Sequence, residues 1–252
     1  MIHLNIDAPV ATVTLDYSPV NALNGAWVEC LDGLLDQVTT QRDIAVLHLR
    51  SALKVFCAGA DLGLMRRLLV NPGGRDEMIE IVRGLQRLLS RLESSSIVTV
   101  AEIGGAALGG GLELALACDL RVVAETAKLG LPEAGLGLTP GAGGTQRLPR
   151  ICGEAVARRL IFGAEIIDGK EAVKLRLAQW SLPAEKLAPW TRALVQRISS
   201  LPARTLAACK RCINATLDDS INGYELELTE TRRLHDAAET QQLVQAFLER
   251  SS

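Results

Sequence analysis

Aromatic side chains are scarce in this chain of 252 residues: three Trp, two Tyr and three Phe, 3% in all. That leaves few stacking platforms for single-stranded nucleic acid. An excess of one charge is also lacking, because 27 Lys and Arg face 29 Asp and Glu for a net charge of −2. Such a balance argues against a polyanion binder and against a disordered polyelectrolyte, so no nucleic-acid partner is expected. The six cysteines are too sparse for a disulfide scaffold and fit the reduced thiols of a cytoplasmic protein. The opening residues, Met1 to Tyr17, have no basic segment followed by an apolar run, so no leader peptide is expected. The most apolar stretch, Ile97 to Leu120, is interrupted by Glu102, by Glu113 and by glycines at 104, 105, 109, 110 and 111. A membrane span needs about 20 nearly unbroken apolar residues. A soluble protein with no membrane partner is the expectation.

Several chemical signatures are missing too. Gly109-Gly110-Gly111 runs on into Leu112-Glu113-Leu114, and Pro140-Gly141-Ala142-Gly143-Gly144-Thr145 has no Lys, so neither a P-loop nor a dinucleotide fingerprint is present. No G-x-S-x-G elbow occurs, and His3, His48 and His235 lie far apart without ligand spacing. His48, inside an apolar strand, reads as a satisfied core or half-buried side chain. Cys209 and Cys212 form a single C-x-x-C in a helical pattern, which lacks the four ligands of a structural zinc site. Neither a metal nor a redox cofactor is expected.

What remains is an apolar fraction near the globular norm, 48%, with 22 glycines, in a chain of a length that fits one large domain or one domain with an appendage and can bury a substantial core. Ile2 to Ile6 and Val10 to Leu15 read as a hairpin around Asp7-Ala8-Pro9. Trp27, Leu31, Leu34, Leu35 and Val38 recur at helical spacing, and Ile44 to Leu49 has strand length. A loop over Phe56 to Gly63, a helix over 75–92, a strand over Ile97 to Ile103, a Gly-led helix over Gly109 to Cys118 and a strand over Leu120 to Ala124 follow. Strands separated by helices predict an α/β fold with a mostly parallel sheet. From Glu154 onward the pattern is helical, over 154–162, 168–177, 184–199, 202–216 and about 222–249. The chain thus divides into an α/β core over 1–185 and a helical region over 186–252.

Three consecutive glycines before a helix cost about 1 kcal/mol each relative to Ala if they lie within it, so something must require their missing side chains. Close backbone approach is the natural reason. The first N–H groups of a helix lack internal partners, so Gly110 can present its N–H to a developing anion. Glu113, one turn on, leans back toward the same spot. The loop Phe56-Cys57-Ala58-Gly59-Ala60-Asp61-Leu62 could offer a second N–H, and two such groups make an oxyanion hole. Glu133, in Leu131-Pro132-Glu133-Ala134-Gly135, reads either as a helix-start acid or loop charge or as a second catalytic carboxylate.

These segments, in this order over about residues 10 to 180, resemble the crotonase family, the enoyl-CoA hydratases and isomerases. The matching stretches are Pro19-Val20-Asn21-Ala22-Leu23-Asn24, Phe56 to Leu62, Ala107 to Ala115 with Cys118-Asp119, and Leu131-Pro132-Glu133 through Pro140 to Leu148. The resemblance implies a crotonase-like spiral of ββα turns with a helical C-terminal trimerisation region, assembled as a homotrimer or a hexamer built from two trimers. It implies that Ala60 and Gly110 donate their N–H groups to a thioester oxygen, and that Ala58 meets the adenine end of CoA. Asp61, Leu62 and Gly141 join the substrate-binding positions, Gly141 near the catalytic water. Glu113 and Glu133 correspond to the two hydratase glutamates. The activity so implied is hydration of a trans-2-enoyl-CoA, with enoyl-CoA isomerisation or a non-catalytic acyl-CoA-binding subunit as alternatives. CoA arrives on the substrate rather than as a cofactor.

Overall fold

The computed structural model describes residues 1–41 and 43–251; Ser252, the end of the expected helical region, lies outside them. The chain opens with β1 (Ile2–Asp7) and β2 (Val10–Leu15), paired antiparallel from Ile2 opposite Leu15 to Asp7 opposite Val10. The elements that follow are α1 (Gly25–Thr39), β3 (Val46–Ser51), α2 (Leu62–Val70), α3 (Gly74–Ser94), β4 (Val98–Ile103), β5 (Ala107–Leu108), α4 (Gly110–Leu116), β6 (Leu120–Ala124) and β7 (Lys128–Gly130). A 3-10 turn at Pro132–Leu136 leads to α5 (Gly144–Cys152), α6 (Glu154–Phe162), β8 (Ile166–Asp168), α7 (Gly169–Lys174) and β9 (Trp180–Leu182). Then come α8 (Ala184–Ser199), α9 (Ala203–Asn214), α10 (Gly223–His235) and α11 (Ala238–Ser251).

Six strands form one sheet in the order β1-β2-β3-β4-β6-β9, parallel from β2 onward, and β5, β7 and β8 form a second, smaller one. The parallel sheet predicted from the alternation of strands and helices is present. β3 is buried along Val46 to Leu49, as expected of a parallel strand covered on both faces, with His48 the one polar side chain in that run. β2 alternates instead, burying Ala11, Val13 and Leu15. α1 starts where the Asn24 side chain accepts from the Trp27 N–H, and buries Trp27, Leu31, Leu35 and Val38 along one face. α3 buries Leu85, Leu88, Leu89 and Leu92 in the same way, each contributing roughly 1.5–3 kcal/mol of apolar burial.

Some elements differ from the sequence reading. α2 begins inside the stretch read as a loop over Phe56 to Gly63, because Asp61 accepts from the Leu64 N–H and caps a new helix. β5, β7, β8 and β9 are two or three residues long, too short to show a period. The helix expected over 168–177 is shorter, since Asp168 caps it and Arg176 turns out at φ 63°. The helix expected over 222–249 is two, α10 and α11, broken near Asp236 with neither Gly nor Pro to mark the break. α8 lies across β2, β3, β4 and β6, so the first helix after residue 183 covers the sheet.

Candidate active site

The site is assembled from four chain segments, and a buried Asn holds the first of them. Asn21 sits at φ 53° with no exposure. Its Oδ1 accepts from the Tyr17 N–H at 2.7 Å, and its Nδ2 donates to Phe56 O at 2.8 Å and Ser51 Oγ at 2.9 Å. The 56–61 loop is thereby laid alongside 20–23. Ala58 N–H donates to Val20 O, Leu23 N–H to Gly59 O and Asp61 N–H to Leu23 O. In a trans peptide the N–H and C=O point opposite ways. With Gly59 O directed at Leu23, the Ala60 N–H is turned away from Leu23.

On its other side the loop runs against the start of α4. A Cβ on Gly59, which lies at φ +94°, would stand 2.8 Å from Leu108 O and 3.4 Å from the Gly110 nitrogen. A Cβ on Gly111 would stand 2.1 Å from Cys57 O, so α4 can pack here only without one. This is the close approach that the run of three glycines requires. Gly110 is the first residue of α4, where an N–H has no partner inside the helix. Among the described residues, neither the Ala60 nor the Gly110 N–H donates to a backbone acceptor.

Two carboxylates converge beside these amides. Glu113, on α4, is 2% exposed, and its Oε1 accepts from the Ala142 N–H at 2.8 Å and the Gly144 N–H at 2.7 Å. Its other oxygen, Oε2, lies 3.9 Å from where a Cβ on Gly110 would be. Burial pushes the Glu113 carboxyl up to about 7; the neighbouring charge of Glu133 adds to the rise, while the two amide donors and Arg147 oppose it. Glu133 comes from the 3-10 turn, with Oε1 2.9 Å from where a Cβ on Gly109 would be. Its Oε2 is buried without a hydrogen-bond partner among the described residues. Burial raises its carboxyl above the usual range as well. A buried, unpaired carboxylate oxygen is costly to fold around, and in a native structure it calls for a reason.

The segments carrying Ala60, Gly110, Glu113 and Glu133 are thus adjacent. Gly141 belongs to the loop that feeds amides to Glu113 and rests near Val82 of α3. Ala58 and Leu62 are exposed, whereas the Asp61 carboxylate is engaged as the cap of α2. Sequence reasoning missed Asn21 as the residue that sets the loop, and Ala142 and Gly144 as donors. Its only signals were the Pro-Val-Asn stretch and the glycine run after Pro140. His48 is buried with its Nε2 3.1 Å from Glu102 Oε2, inside the sheet. Among the described residues no group of three or more His, Cys, Asp or Glu is placed to hold a metal ion.

The core is that of the crotonase class: an enoyl-CoA hydratase from Bacillus anthracis superposes with a TM-score of 0.92 at 32% identity, over 99% of this chain and 96% of that one. A model of the enoyl-CoA hydratase/isomerase family matches residues 5–252, and the chain belongs to that family of enzymes. Among curated relatives it is 39% identical to the "probable enoyl-CoA hydratase" of Bacillus subtilis strain 168, covering 99% of this chain and 96% of that protein. It is 35% identical to the "probable enoyl-CoA hydratase 2, mitochondrial" of Arabidopsis thaliana, covering 99% and 79%. Among the described residues no helix is long and apolar enough to cross a membrane.

Proposed function

We propose that this protein is an enoyl-CoA hydratase, adding water across the 2,3 double bond of a trans-2-enoyl-CoA to give a 3-hydroxyacyl-CoA. The observation that carries this reading is the carboxylate pair, with Glu113 Oε2 facing Gly110 and Glu133 Oε2 buried without a partner among the described residues. As the water oxygen bonds to the β-carbon, an electron pair moves through the α-carbon onto the thioester oxygen. The N–H groups of Ala60 and Gly110 donate to that oxygen, and losing one donor of such a pair costs about 2.7–4 kcal/mol of barrier. One carboxylate takes the proton released by the water, and a proton is delivered to the α-carbon from the other. A carboxyl held near 7 suits this exchange, since an acid–base group works best with a pKa close to the working pH.

In this reading CoA is part of the substrate, with Ala58 toward its adenine end and Asp61, Leu62 and Gly141 along the bound thioester, and the acid–base work is done by side chains. The helical C-terminal region holds a homotrimer or a hexamer.

Crotonyl-CoA tests the reading. Hydration bleaches the ultraviolet absorbance of the conjugated thioester, and Glu133→Gln is expected to slow this at least about 10²-fold with little change in KM. Constant absorbance together with conversion of a 3-enoyl-CoA would replace hydration by isomerisation. No turnover of either would leave a binder. Near-normal turnover of Glu133→Gln would remove that residue from the mechanism.

A further inference from the structure

The loop that supplies Glu113 with two amide donors is gripped from behind on three successive carbonyls. Gln86 Nε2, from α3, donates to Gly141 O at 2.6 Å. The same peptide carries the Ala142 N–H, which donates to Glu113 Oε1 at 2.8 Å. Because N–H and C=O oppose each other in a trans peptide, the hold on Gly141 O aims the Ala142 N–H at the carboxylate. In the next peptide, Ala142 O accepts from Arg147 Nη1 at 3.0 Å. In the third, Gly143 O accepts from the Arg147 N–H at 2.8 Å while the Gly144 N–H donates to Glu113 at 2.7 Å. Arg147 is itself fixed: its Nε and Nη2 donate to Glu93 Oε2 at 3.0 and 2.8 Å, and Glu93 O accepts from Asn214 Nδ2 of α9 at 3.1 Å.

We propose that Gln86, together with Arg147 locked by Glu93, is a positioning pair that turns the 141–144 loop so that its amides converge on one oxygen of Glu113 and leave the other for proton exchange. The functional part of this inference rests on the acid–base role proposed for Glu113; the geometric part does not. The two amide donors stabilise the charged carboxylate, so loosening either one moves Glu113 upward. The charged groups acting on it are Glu133 of the 3-10 turn, which raises it, and Arg147 of α5, which lowers it and is neutralised by Glu93 of α3, with Arg150 Nη2 also 3.8 Å from Glu93. α4 carries no other charged residue. Among the described residues the Gln86 side chain donates to Gly141 O and to neither carboxylate, so its influence passes through the peptide it holds.

The test compares Gln86→Leu and Arg147→Lys with the unmodified protein in two measurements. One is the carbon-13 titration of the Glu113 carboxyl, assigned by its loss in Glu113→Gln, and the other is the pH profile of kcat/KM on crotonyl-CoA. Gln86→Leu keeps the size and lies at an exposed position, so melting temperature is expected to hold. Glu113, and the limb of the profile it controls, are expected to move up by about half a pH unit or more, with kcat falling severalfold and KM changing less. Arg147→Lys keeps the charge but loses the forked grip, and is expected to move the same way. An unchanged Glu113 titration in Gln86→Leu overturns the proposal, whatever the substrate proves to be. Failure of the unmodified protein on crotonyl-CoA would instead sink the hydratase reading and leave the titration to decide the clamp.

Discussion

Glu113 and Glu133 are the same residue type with different surroundings, and under the proposed mechanism that difference gives them separate work. Glu113 has one oxygen bonded by two amides and is raised to about 7 by burial; Glu133 has a buried oxygen with no donor among the described residues. The raised carboxyl has a consequence for stability. Between the ordinary value of 4.5 and about 7, the folded chain keeps a proton on Glu113 that the unfolded chain has released. Its contribution is therefore fully present below about 4.5 and is lost as pH climbs through about 7. Glu113→Gln keeps an oxygen for the Ala142 and Gly144 donors but cannot ionise. Its stability relative to the unmodified protein is expected to rise across this window, by on the order of 3 kcal/mol in total. Urea unfolding of both proteins at about pH 5 and about pH 8 measures it, and a difference independent of pH would mean that Glu113 titrates normally. At this scale the sequence was legible for Glu113, because three residues along a helix fix its place beside Gly110. For Glu133 the residue pattern left a structural and a catalytic reading open and only the family resemblance chose between them, because its neighbour Gly109 is contributed by a distant segment.

At the scale of the element, α4 is a seven-residue helix buried from Gly111 to Leu116. Its packing distance is set by a backbone carbonyl, since a Cβ on Gly111 would meet Cys57 O at 2.1 Å. Neither partner is a flexible side chain that could swing aside. Gly111→Ala is expected to destabilise the fold by about 3 kcal/mol, by overpacking against a rigid neighbour. It should also displace the loop carrying Ala60. Gly33→Ala is the contrast: nothing lies within 4 Å of the added atom on the exposed side of α1, so a gain of roughly 0.5–1 kcal/mol is expected from helix propensity alone. Thermal unfolding of the two variants separates packing from propensity; equal effects would contradict the close approach at Gly111. The glycine run announced that a side chain was unwelcome. Which atom excluded it was not readable, because Cys57 is more than fifty residues away. The short strands and α2 were missed for a different reason: two or three residues hold no period, and the Asp61 cap competes with a loop reading of the same glycine-rich stretch.

For the whole molecule, the helices beyond α8 leave apolar side chains on the surface. Tyr224 is 83% exposed and Leu228 64% on α10, and Leu243 is 51% exposed on α11. Lys210 ties α9 to the core by donating to Ile97 O at 3.0 Å and Asp119 Oδ2 at 2.8 Å, so this region is held at its base while α10 and α11 leave these apolar side chains exposed. Exposed apolar patches of this kind mark interaction surfaces, and under the proposed assembly a second and third copy cover them. Sedimentation is expected to give a trimer or hexamer of the 27.0 kDa chain, and the double variant Tyr224→Glu with Leu228→Glu to shift it toward monomer without loss of helix. A monomer at micromolar concentration for the unmodified chain would refute that assembly.

The periodicities and glycine punctuation of the chain were enough to indicate the hairpin, the parallel strands and most of the helices, and the resemblance of its ordered motifs to known enzymes pointed to the family. These are local or ordered along the chain, and local chemistry decides them. The tertiary structure alone decided which atoms meet: that Asn21 lays the Ala60 loop against α4, that Ala142 and Gly144 occupy one oxygen of Glu113, and that Gln86 and Arg147 aim those amides. Each of these contacts joins segments tens of residues apart except the turn from Ala142 to Arg147. Their geometry follows from burial and peptide orientation in the packed core, which no pattern along the chain encodes.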